Sequence, residues 1–331
     1  TKMRFWTLVA VAGLVAANLG RPVAAEPVAR PLDAELSVLA ERAQAPGLVA
    51  AVYRDGRLRD FYTWGGADCA GAGAVNANAD YEIGSISKSI TAVAVLQMWD
   101  RHRLDIDATM GTYLSDAPEA WKRVTLRQML THTSGIPDYE EAGGYGIYET
   151  TPTPQQIFDI VRARPLDFEP GAQWSYSNTN YVLLSLIVER VSGMHFGEYM
   201  RRHVFAPLRM VRTFEGGYAP RGAVLAQGCK PGEAVGAARI PVRPIVEAST
   251  YGAGGILTTA RDWAHWYDAL NRGRLLSPRS MQAMFTAAAL PDGTNTGYGM
   301  GMEVDDFRGE PRRGHNGQTQ GFVADYASFP N

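Results

Sequence analysis

The chain has 331 residues, of which 46% are hydrophobic and 20% charged, so it has the composition of a globular protein with a sizeable core. Its formal net charge of -2 and the lack of a Lys/Arg block provide no positive field for phosphate groups. Nucleic acid and anionic lipid are therefore not expected as partners, and a small substrate that is neutral or mildly charged fits better.

The N-terminal segment has the features of an export signal. Lys2 and Arg4 precede an apolar run from Phe5 to Leu19, and residues 23 to 25 (Val-Ala-Ala) are small enough for signal cleavage. The run is shorter than the roughly 20 apolar residues that span a bilayer. We therefore expect residues 1–25 to be a signal peptide. The mature protein would be periplasmic or secreted, with no stable membrane insertion after cleavage.

Hydrophobic periodicity changes along the rest of the chain. Residues 34–45 have helical spacing, and two apolar, aromatic-rich runs, 48–54 and 57–64, are joined by Asp55-Gly56, which is a hairpin signature. Helices are then predicted over 87–103, 125–131, 153–163, 180–191, 197–205, 260–271 and 278–285, and strands over 298–304, 312–314 and 318–329. This order predicts an α/β (α+β) fold, with an antiparallel sheet flanked by helices and an inserted, mostly helical lobe, over residues 26–331.

The cysteines and histidines give little indication of a metal or a scaffold of disulfides. Cys69 and Cys229 are compatible with one bridge in an oxidising compartment, but the sequence does not show whether they pair. The six histidines are scattered, with no His-x-His or Cys-x-x-Cys spacing. We therefore expect no metal and no cofactor.

Ser85 and Lys88 form a Ser-x-x-Lys tetrad at the start of an apolar helix, and this spacing places both side chains on one helical face. The hydroxyl and the amine can share a proton there, while the positive helix end stabilises an oxyanion and disfavours an ammonium. Serine is also a common helix cap, which is the structural alternative. However, the tetrad occurs once, and lysine occurs only at positions 2, 88, 122 and 230. Arginine supplies the other cations and cannot act as a base, so Lys88 is a candidate base.

Two further motifs carry polar groups suited to a cleft. Tyr176 and Asn178 lie in a polar turn before an apolar helix, where a phenol near a lysine can be held partly as phenolate and act as a general base. The alternative is that Asn178 or Thr179 caps the helix and Tyr176 packs. His315 and Gly317 follow a strand-like run, and glycine there lets the backbone approach a ligand.

His-x-Gly is a weak pattern, since His195-Phe196-Gly197 matches it too. That second copy precedes a predicted helix, and we expect it to be a turn.

Taken together and in order, the motifs resemble those of the class C β-lactamase-related serine hydrolase family. The matching segments are Glu-Ile-Gly-Ser-Ile-Ser-Lys at 82–88, Leu-Thr-His-Thr-Ser-Gly-Ile-Pro at 130–137, Tyr-Ser-Asn at 176–178, Gly-Gly-Ile-Leu-Thr-Thr-Ala-Arg-Asp at 254–262 and Gly-His-Asn-Gly at 314–317. The resemblance runs from about residue 48 to the end. It implies the β-lactamase/transpeptidase-like fold, with the site between the sheet domain and the helical lobe.

The resemblance also implies roles for individual residues. Ser85 would be the nucleophile, Lys88 its proton partner, and Tyr176 a general base and acid. Asn178 would contact the substrate amide, and the backbone N–H groups of Ser85 and Gln318 would form an oxyanion hole. The remaining motif residues complete the cleft: His315 as a polar or cationic group, Gly317 beside the substrate, and His132 as structural support.

The sequence departs from the resemblance in two places. Lys-Thr-Gly, usual in β-lactamases of this class, is replaced by His-Asn-Gly at 315–317, a form found among D-alanyl-D-alanine carboxypeptidases, D-aminopeptidases and esterases. The final strand and helix of the family are not found after residue 329, so the domain looks truncated and residues 318–329 are expected to form an unpaired edge.

These observations predict a hydrolase that works through an acyl-enzyme on Ser85. Its substrates would be small molecules or peptides with an acyl group, namely esters or D-amino-acid amides and peptides. The alternatives are a β-lactamase, or a penicillin-binding sensor or binding module that is acylated without turnover. The oligomeric state is not indicated.

Overall fold

Strands lie at both ends of the chain and helices in the middle. The computed structural model describes residues 7–10, 32–55, 57–76, 78–143, 147, 152–232, 237–244 and 250–329. The strands are β1 (Thr7–Ala10), β2 (Gly47–Arg54), β3 (Arg57–Gly65), β4 (Tyr81–Glu82), β5 (Phe214–Glu215), β6 (Cys229–Lys230), β7 (Ile240–Pro241), β8 (Ile256–Thr258), β9 (Glu303–Phe307), β10 (Glu310–Gln318) and β11 (Val323–Ser328). The helices are α1 (Asp33–Arg42), α2 (Ser87–Asp100), α3 (Leu126–Leu130), α4 (Tyr139–Gly143), α5 (Pro154–Val161), α6 (Asn178–Ser192), α7 (Phe196–Met200), α8 (Tyr251–Gly254), α9 (Ala260–Asn271) and α10 (Pro278–Met284).

The main sheet is antiparallel throughout, in the order β3-β2-β1-β11-β10-β9. Strand β2 is buried on both faces because helices cover the sheet on each side. Leu48, Ala50 and Val52 pack under α1. On the other face the Tyr53 hydroxyl donates a hydrogen bond of 2.6 Å to the Ala260 carbonyl at the start of α9. The predicted sheet flanked by helices is therefore confirmed, although Gly56 of the predicted hairpin turn lies outside the described residues.

The helical lobe is built around α2. Every residue from Ser87 to Trp99 is buried, because α6, α8 and α10 surround a helix that is apolar on all sides. Helices α3, α5 and α7 pack in turn against α6. In the described part of the chain no helix combines the length and apolar character needed to cross a bilayer. The lobe thus brings the N-terminus of α2 against β10 of the sheet.

Strand β1 falls within the segment predicted to be a signal peptide, of which residues 1–6 and 11–25 lie outside the described residues. Its backbone pairs with β2 at Thr7↔Tyr53 and with β11 at Ala10↔Asp325. In the full chain β11 therefore has a partner on both sides, in contrast to the unpaired edge expected for residues 318–329, whereas cleavage of the predicted signal peptide would remove β1 and leave β11 unpaired on that side. The signal peptide remains a prediction.

The segment before β9 also departs from the prediction of a strand over 298–304. Gly297 and Gly301 have positive φ angles of 69° and 74°. A Cβ atom on Gly301 would lie 2.6 Å from the Lys88 carbonyl oxygen. Glycine is required at such a position, so the chain turns against α2 and the strand begins only at Glu303. Gln318 similarly ends β10 instead of starting the last strand.

Cys69 and Cys229, whose pairing the sequence left open, form a disulfide with an S–S distance of 2.06 Å and a Cα–Cα distance of 5.7 Å. The bridge joins the loop after β3 to β6. The Cys229 N–H also donates to the Gly321 carbonyl at 3.2 Å. The bridge therefore braces the turn that follows β10.

We expect loss of this bridge to lower the free energy of unfolding by roughly 2–5 kcal/mol, because the unfolded chain regains the freedom of a long closed loop. Denaturant unfolding of the oxidised protein, the reduced protein and the Cys69→Ala/Cys229→Ala variant would measure this. Reductant should have no effect on the variant, which serves as the control. Equal midpoints for oxidised and reduced protein would contradict the expectation.

Candidate active site

The Ser-x-x-Lys tetrad lies where the sheet meets the helical lobe. Gly84 to Ile86 form a 3-10 turn that leads directly into α2. Ser85 is partly exposed, and Lys88 is completely buried. The Lys88 Nζ atom lies 3.0 Å from the Ser85 Oγ atom. The two side chains share one helical face, as the spacing predicts.

Lys88 makes two further hydrogen bonds, each 2.7 Å long, to the Asn178 Oδ1 atom at the start of α6 and to the Ala253 carbonyl oxygen in α8. Burial lowers the pKa of Lys88 to about 7, although the charges of Asp138 and Glu140 act in the opposite direction. A substantial fraction of the amine is therefore neutral near pH 7 and able to accept a proton.

Tyr176 is on the loop before α6, and Ser85 is close enough to lower the pKa of its hydroxyl slightly, against the larger effect of burial. The Lys88 Nζ atom lies 4.8 Å from the centre of the tyrosine ring. Burial raises the pKa of Tyr176, and the charges of Asp138, Glu140 and Glu303 raise it further. The expectation of a partial phenolate is not supported, because this environment favours the protonated phenol.

His132 holds this loop in place. Its carbonyl accepts a hydrogen bond of 3.0 Å from the Ser175 N–H, and its Nδ1 atom accepts one of 3.2 Å from the Ser177 N–H. Its ring packs on Tyr176 with centroids 4.3 Å apart. Burial, followed by the charges of Lys88 and His315, holds the pKa of His132 well below its usual value. A neutral supporting residue agrees with the role expected from the sequence.

His315 lies on β10, on the third side of the site, and is 2% exposed. Its Nδ1 atom lies 2.5 Å from the Asn316 carbonyl, which can only accept, so Nδ1 carries the proton. Its Nε2 atom then accepts from the Tyr298 hydroxyl at 2.8 Å. Burial, and to a lesser extent Lys88, lowers the pKa of His315 to about 3. These surroundings favour a neutral, polar ring near neutral pH over the cationic alternative.

Gly84 and Gly317 allow two backbone segments to approach very closely. A Cβ on Gly317 would lie 2.0 Å from the Ile83 carbonyl oxygen and 3.1 Å from the Ser85 amide nitrogen. A Cβ on Gly84 would lie 2.7 Å from the Gln318 amide nitrogen. The amides of Ser85 and Gln318 therefore border the same narrow gap, where two N–H donors could stabilise an oxyanion.

These groups open into a cleft of about 860 Å³. Five of the seven predicted site residues line this cleft: Ser85, Tyr176, Asn178, His315 and Gln318. Of the other two, Lys88 is hydrogen-bonded to Ser85, and Gly317 allows the close approach of the two backbone segments. His195, in contrast, lies at the start of α7 and is not among the lining residues. Among the described residues no cluster of three His, Cys, Asp or Glu side chains is placed to hold a metal ion.

The sequence analysis missed several residues of this site. The cleft is lined by five acidic residues, Glu82, Asp138, Glu140, Glu141 and Glu303, and one arginine, Arg243. The position of Asp138, directly after the motif at 130–137, was an available signal. Tyr298 gave no signal because it lies in an apolar, glycine-rich run, and Ala253 contributes only its backbone carbonyl.

Several known proteins resemble this chain in sequence or in fold. The D-aminopeptidase of Brucella canis is 25% identical over 88% of this chain and 55% of its own length. A D-stereospecific amidohydrolase from Streptomyces sp. is 29% identical, with a TM-score of 0.69 over 91% of this chain and 94% of that chain. An octameric penicillin-binding protein homologue from Pyrococcus abyssi has a TM-score of 0.76 at 23% identity, over 91% of this chain and 73% of that one, and shows the fold alone.

The matches cover only part of each curated relative, whereas the family model covers most of this chain. The chain spans about half the length of the curated relatives it matches, between 40% and 61%. Residues 32–328, in contrast, match the family model described as Beta-lactamase. Since that match covers nearly all of the described residues, the chain belongs to the Beta-lactamase family of serine hydrolases.

Proposed function

We propose that the protein is an exported serine hydrolase that forms an acyl-enzyme on Ser85 and cleaves D-amino-acid amides, short peptides or esters. The observation that carries this proposal is the contact of 3.0 Å between the Ser85 hydroxyl and the buried Lys88 amine, on the wall of an open cleft. Burial brings the pKa of Lys88 to about 7, which is suited to a base working near neutral pH.

The protons can be followed through one cycle. Neutral Lys88 takes the Ser85 proton as the oxygen attacks the substrate carbonyl, and the amides of Ser85 and Gln318 bind the resulting oxyanion. Protonated Tyr176 gives its proton to the leaving amine or alcohol and regains one from Lys88, so the net result is the transfer of one proton from Ser85 to the leaving group. A water molecule then attacks the acyl-enzyme. The same proton transfers run in reverse, so Ser85 regains its proton and the carboxylic acid product is released.

The charges around the cleft favour a cationic substrate over an anionic one. Five carboxylate residues line the cleft against one arginine, Arg243, and His315 is neutral where a lysine would pair with a β-lactam carboxylate. A free α-ammonium group of an amino-acid amide suits this surface better. The D-aminopeptidase and the D-stereospecific amidohydrolase that resemble this chain support the same substrate class and the D configuration.

Export is supported by two independent features. The N-terminal segment has the pattern of a signal peptide. The Cys69–Cys229 disulfide is stable in an oxidising compartment such as the periplasm or the exterior of the cell.

Mass spectrometry and a substrate panel test this proposal. The purified protein would be incubated with D- and L-alanine p-nitroanilide, a p-nitrophenyl ester and a penicillin, with Ser85→Ala as the control. We expect turnover of the D-anilide or ester well above that of the penicillin, and none with Ser85→Ala. A stable penicillin adduct without turnover of any substrate would instead indicate a sensor, and turnover that is fastest for penicillin would indicate a β-lactamase.

The Lys88→Arg variant should be nearly as inactive as Lys88→Ala, because arginine keeps the charge but cannot accept a proton. General-base catalysis contributes about 10²- to 10⁴-fold, and we expect a loss in this range in kcat/KM for the ester. Retention of more than about a tenth of the wild-type rate in Lys88→Arg would contradict the base role.

The Gly317→Ala variant should lower kcat by about 100-fold or more, because its methyl group would force apart the 3-10 turn and strand β10, which carry the two oxyanion donors. A suitable control is Gly143→Ala, whose Cβ would meet its nearest neighbour at an ordinary 3.5 Å. Thermal unfolding would show whether each variant remains folded. Unchanged kcat in folded Gly317→Ala would show that the donors lie elsewhere.

The rate should depend on pH through Lys88. With an uncharged ester, kcat/KM should rise with pH and level off above about 7, because only the neutral amine accepts the serine proton. No second transition from His315 should appear between pH 5 and 8, since its pKa is held at about 3. A rate that falls as pH rises from 5 to 8 would contradict this assignment.

A further inference from the structure

Lys88 must direct a lone pair at Ser85 in order to act as a base. A neutral amine has two N–H groups and one lone pair, while Lys88 has three neighbours: Ser85, Asn178 and the Ala253 carbonyl. The carbonyl can only accept and therefore takes one N–H. The lone pair faces Ser85 only if Asn178 takes the other N–H through its amide oxygen.

An asparagine amide does not guarantee this by itself, because it has an accepting end and a donating end of similar shape. If the NH₂ group of Asn178 faced Lys88, it would donate to the lone pair and compete with Ser85. Something else must therefore fix the orientation of the amide.

Asp138 supplies this constraint. Its Oδ2 atom accepts the Asn178 side-chain N–H at 3.1 Å and the Asn178 backbone N–H at 2.7 Å. A carboxylate can only accept, so the NH₂ group must point toward Asp138 and the amide oxygen toward Lys88. Asp138 is 8% exposed, and thus largely shielded from water that could replace these bonds.

The segment that carries Asp138 is fixed to the same helix end. The Thr179 hydroxyl donates to the Pro137 carbonyl at 2.7 Å and accepts from the Tyr139 N–H at 2.9 Å. The other oxygen of Asp138 accepts from the Glu140 N–H at 2.7 Å. The carboxylate is therefore held on both sides and cannot readily turn away from Asn178.

We propose that Asp138 is a positioning residue that locks the Asn178 amide with its oxygen toward Lys88 and thereby directs the lysine lone pair at Ser85. This role rests on the proposed hydrolase function. It differs from a role of Asp138 in binding a substrate ammonium group, which would change KM for cationic substrates and leave the reaction of an uncharged ester unaffected.

The test compares Asp138→Asn with the swap variant Asp138→Asn/Asn178→Asp, using an uncharged ester. In the single variant two amide side chains face each other at positions 138 and 178, and neither fixes the orientation of the other. We expect kcat to fall about 10- to 100-fold, which is part of the contribution of a general base, and KM to change little. In the swap variant the carboxylate at position 178 can only accept from Lys88, so kcat at high pH should recover at least severalfold.

The pH profile gives a second readout. The groups facing Lys88 are Asp138, Glu140, the rings of Tyr176 and Tyr181, and the buried imidazoles of His132 and His315. Removing the Asp138 charge should move the transition of kcat/KM to lower pH, whereas a carboxylate at position 178 should move it to higher pH. The surface variant Asp159→Asn, which alters an exposed ion pair with Arg162 and an exposed hydrogen bond from Gln155, should leave kcat and the profile unchanged.

Covalent labelling of Ser85 by a fluorophosphonate separates this proposal from the hydrolase function, because it reports activation of the nucleophile without turnover. Slow labelling in Asp138→Asn, recovered in the swap variant, would support the positioning role. Wild-type labelling in the single variant, a change in KM alone, or a loss in a folded variant that the swap does not recover would overturn it. A wild-type protein that neither labels nor turns over would overturn the hydrolase function and this role with it.

Discussion

The burial of the Lys88 amine is the constraint on which the rest of the site depends. A lysine with no solvent exposure must have hydrogen-bond partners, since an unpaired buried charge is strongly unfavourable. Its partners come from the start of α6 and from α8, while the 3-10 turn before its own helix packs against β10. These bonds therefore fix how α2, α6 and α8 pack against one another beside the sheet.

Burial also controls the charge of the neighbouring residues, and Lys88 adds a smaller effect on the two histidines. His132 and His315 are kept neutral chiefly by burial and then by the nearby positive charge of Lys88. Tyr176 is kept protonated in the same enclosed space. Among these residues Lys88 is therefore the one that changes its protonation readily near neutral pH. It can act as the proton acceptor beside Ser85.

Much of the site could be predicted from the sequence because its motifs are local. Ser85 and Lys88 share a helical turn, and the motifs around Tyr176 and His315 carry recognisable residue patterns. The protonation states could not be predicted in this way: both the phenolate expected at Tyr176 and the cation considered at His315 are disfavoured by burial, which is a property of the folded chain. Asp138 and the Ala253 carbonyl were missed because their roles depend on contacts across the fold. For the same reason the backbone pairing of Thr7–Ala10 with β2 and β11 was not foreseen.

The disulfide has a topological consequence for the active site. Cys69 and Cys229 are separated by 160 residues, and the covalent loop they close contains Ser85, Lys88 and Tyr176. His315 and Gln318 lie outside that loop, on the strand that completes the cleft. A protease that cuts the backbone once within the loop therefore cannot separate the two pieces while the bridge is intact. The nucleophile and its base would stay tethered through such a cut, and the nicked chain would come apart only under reducing conditions.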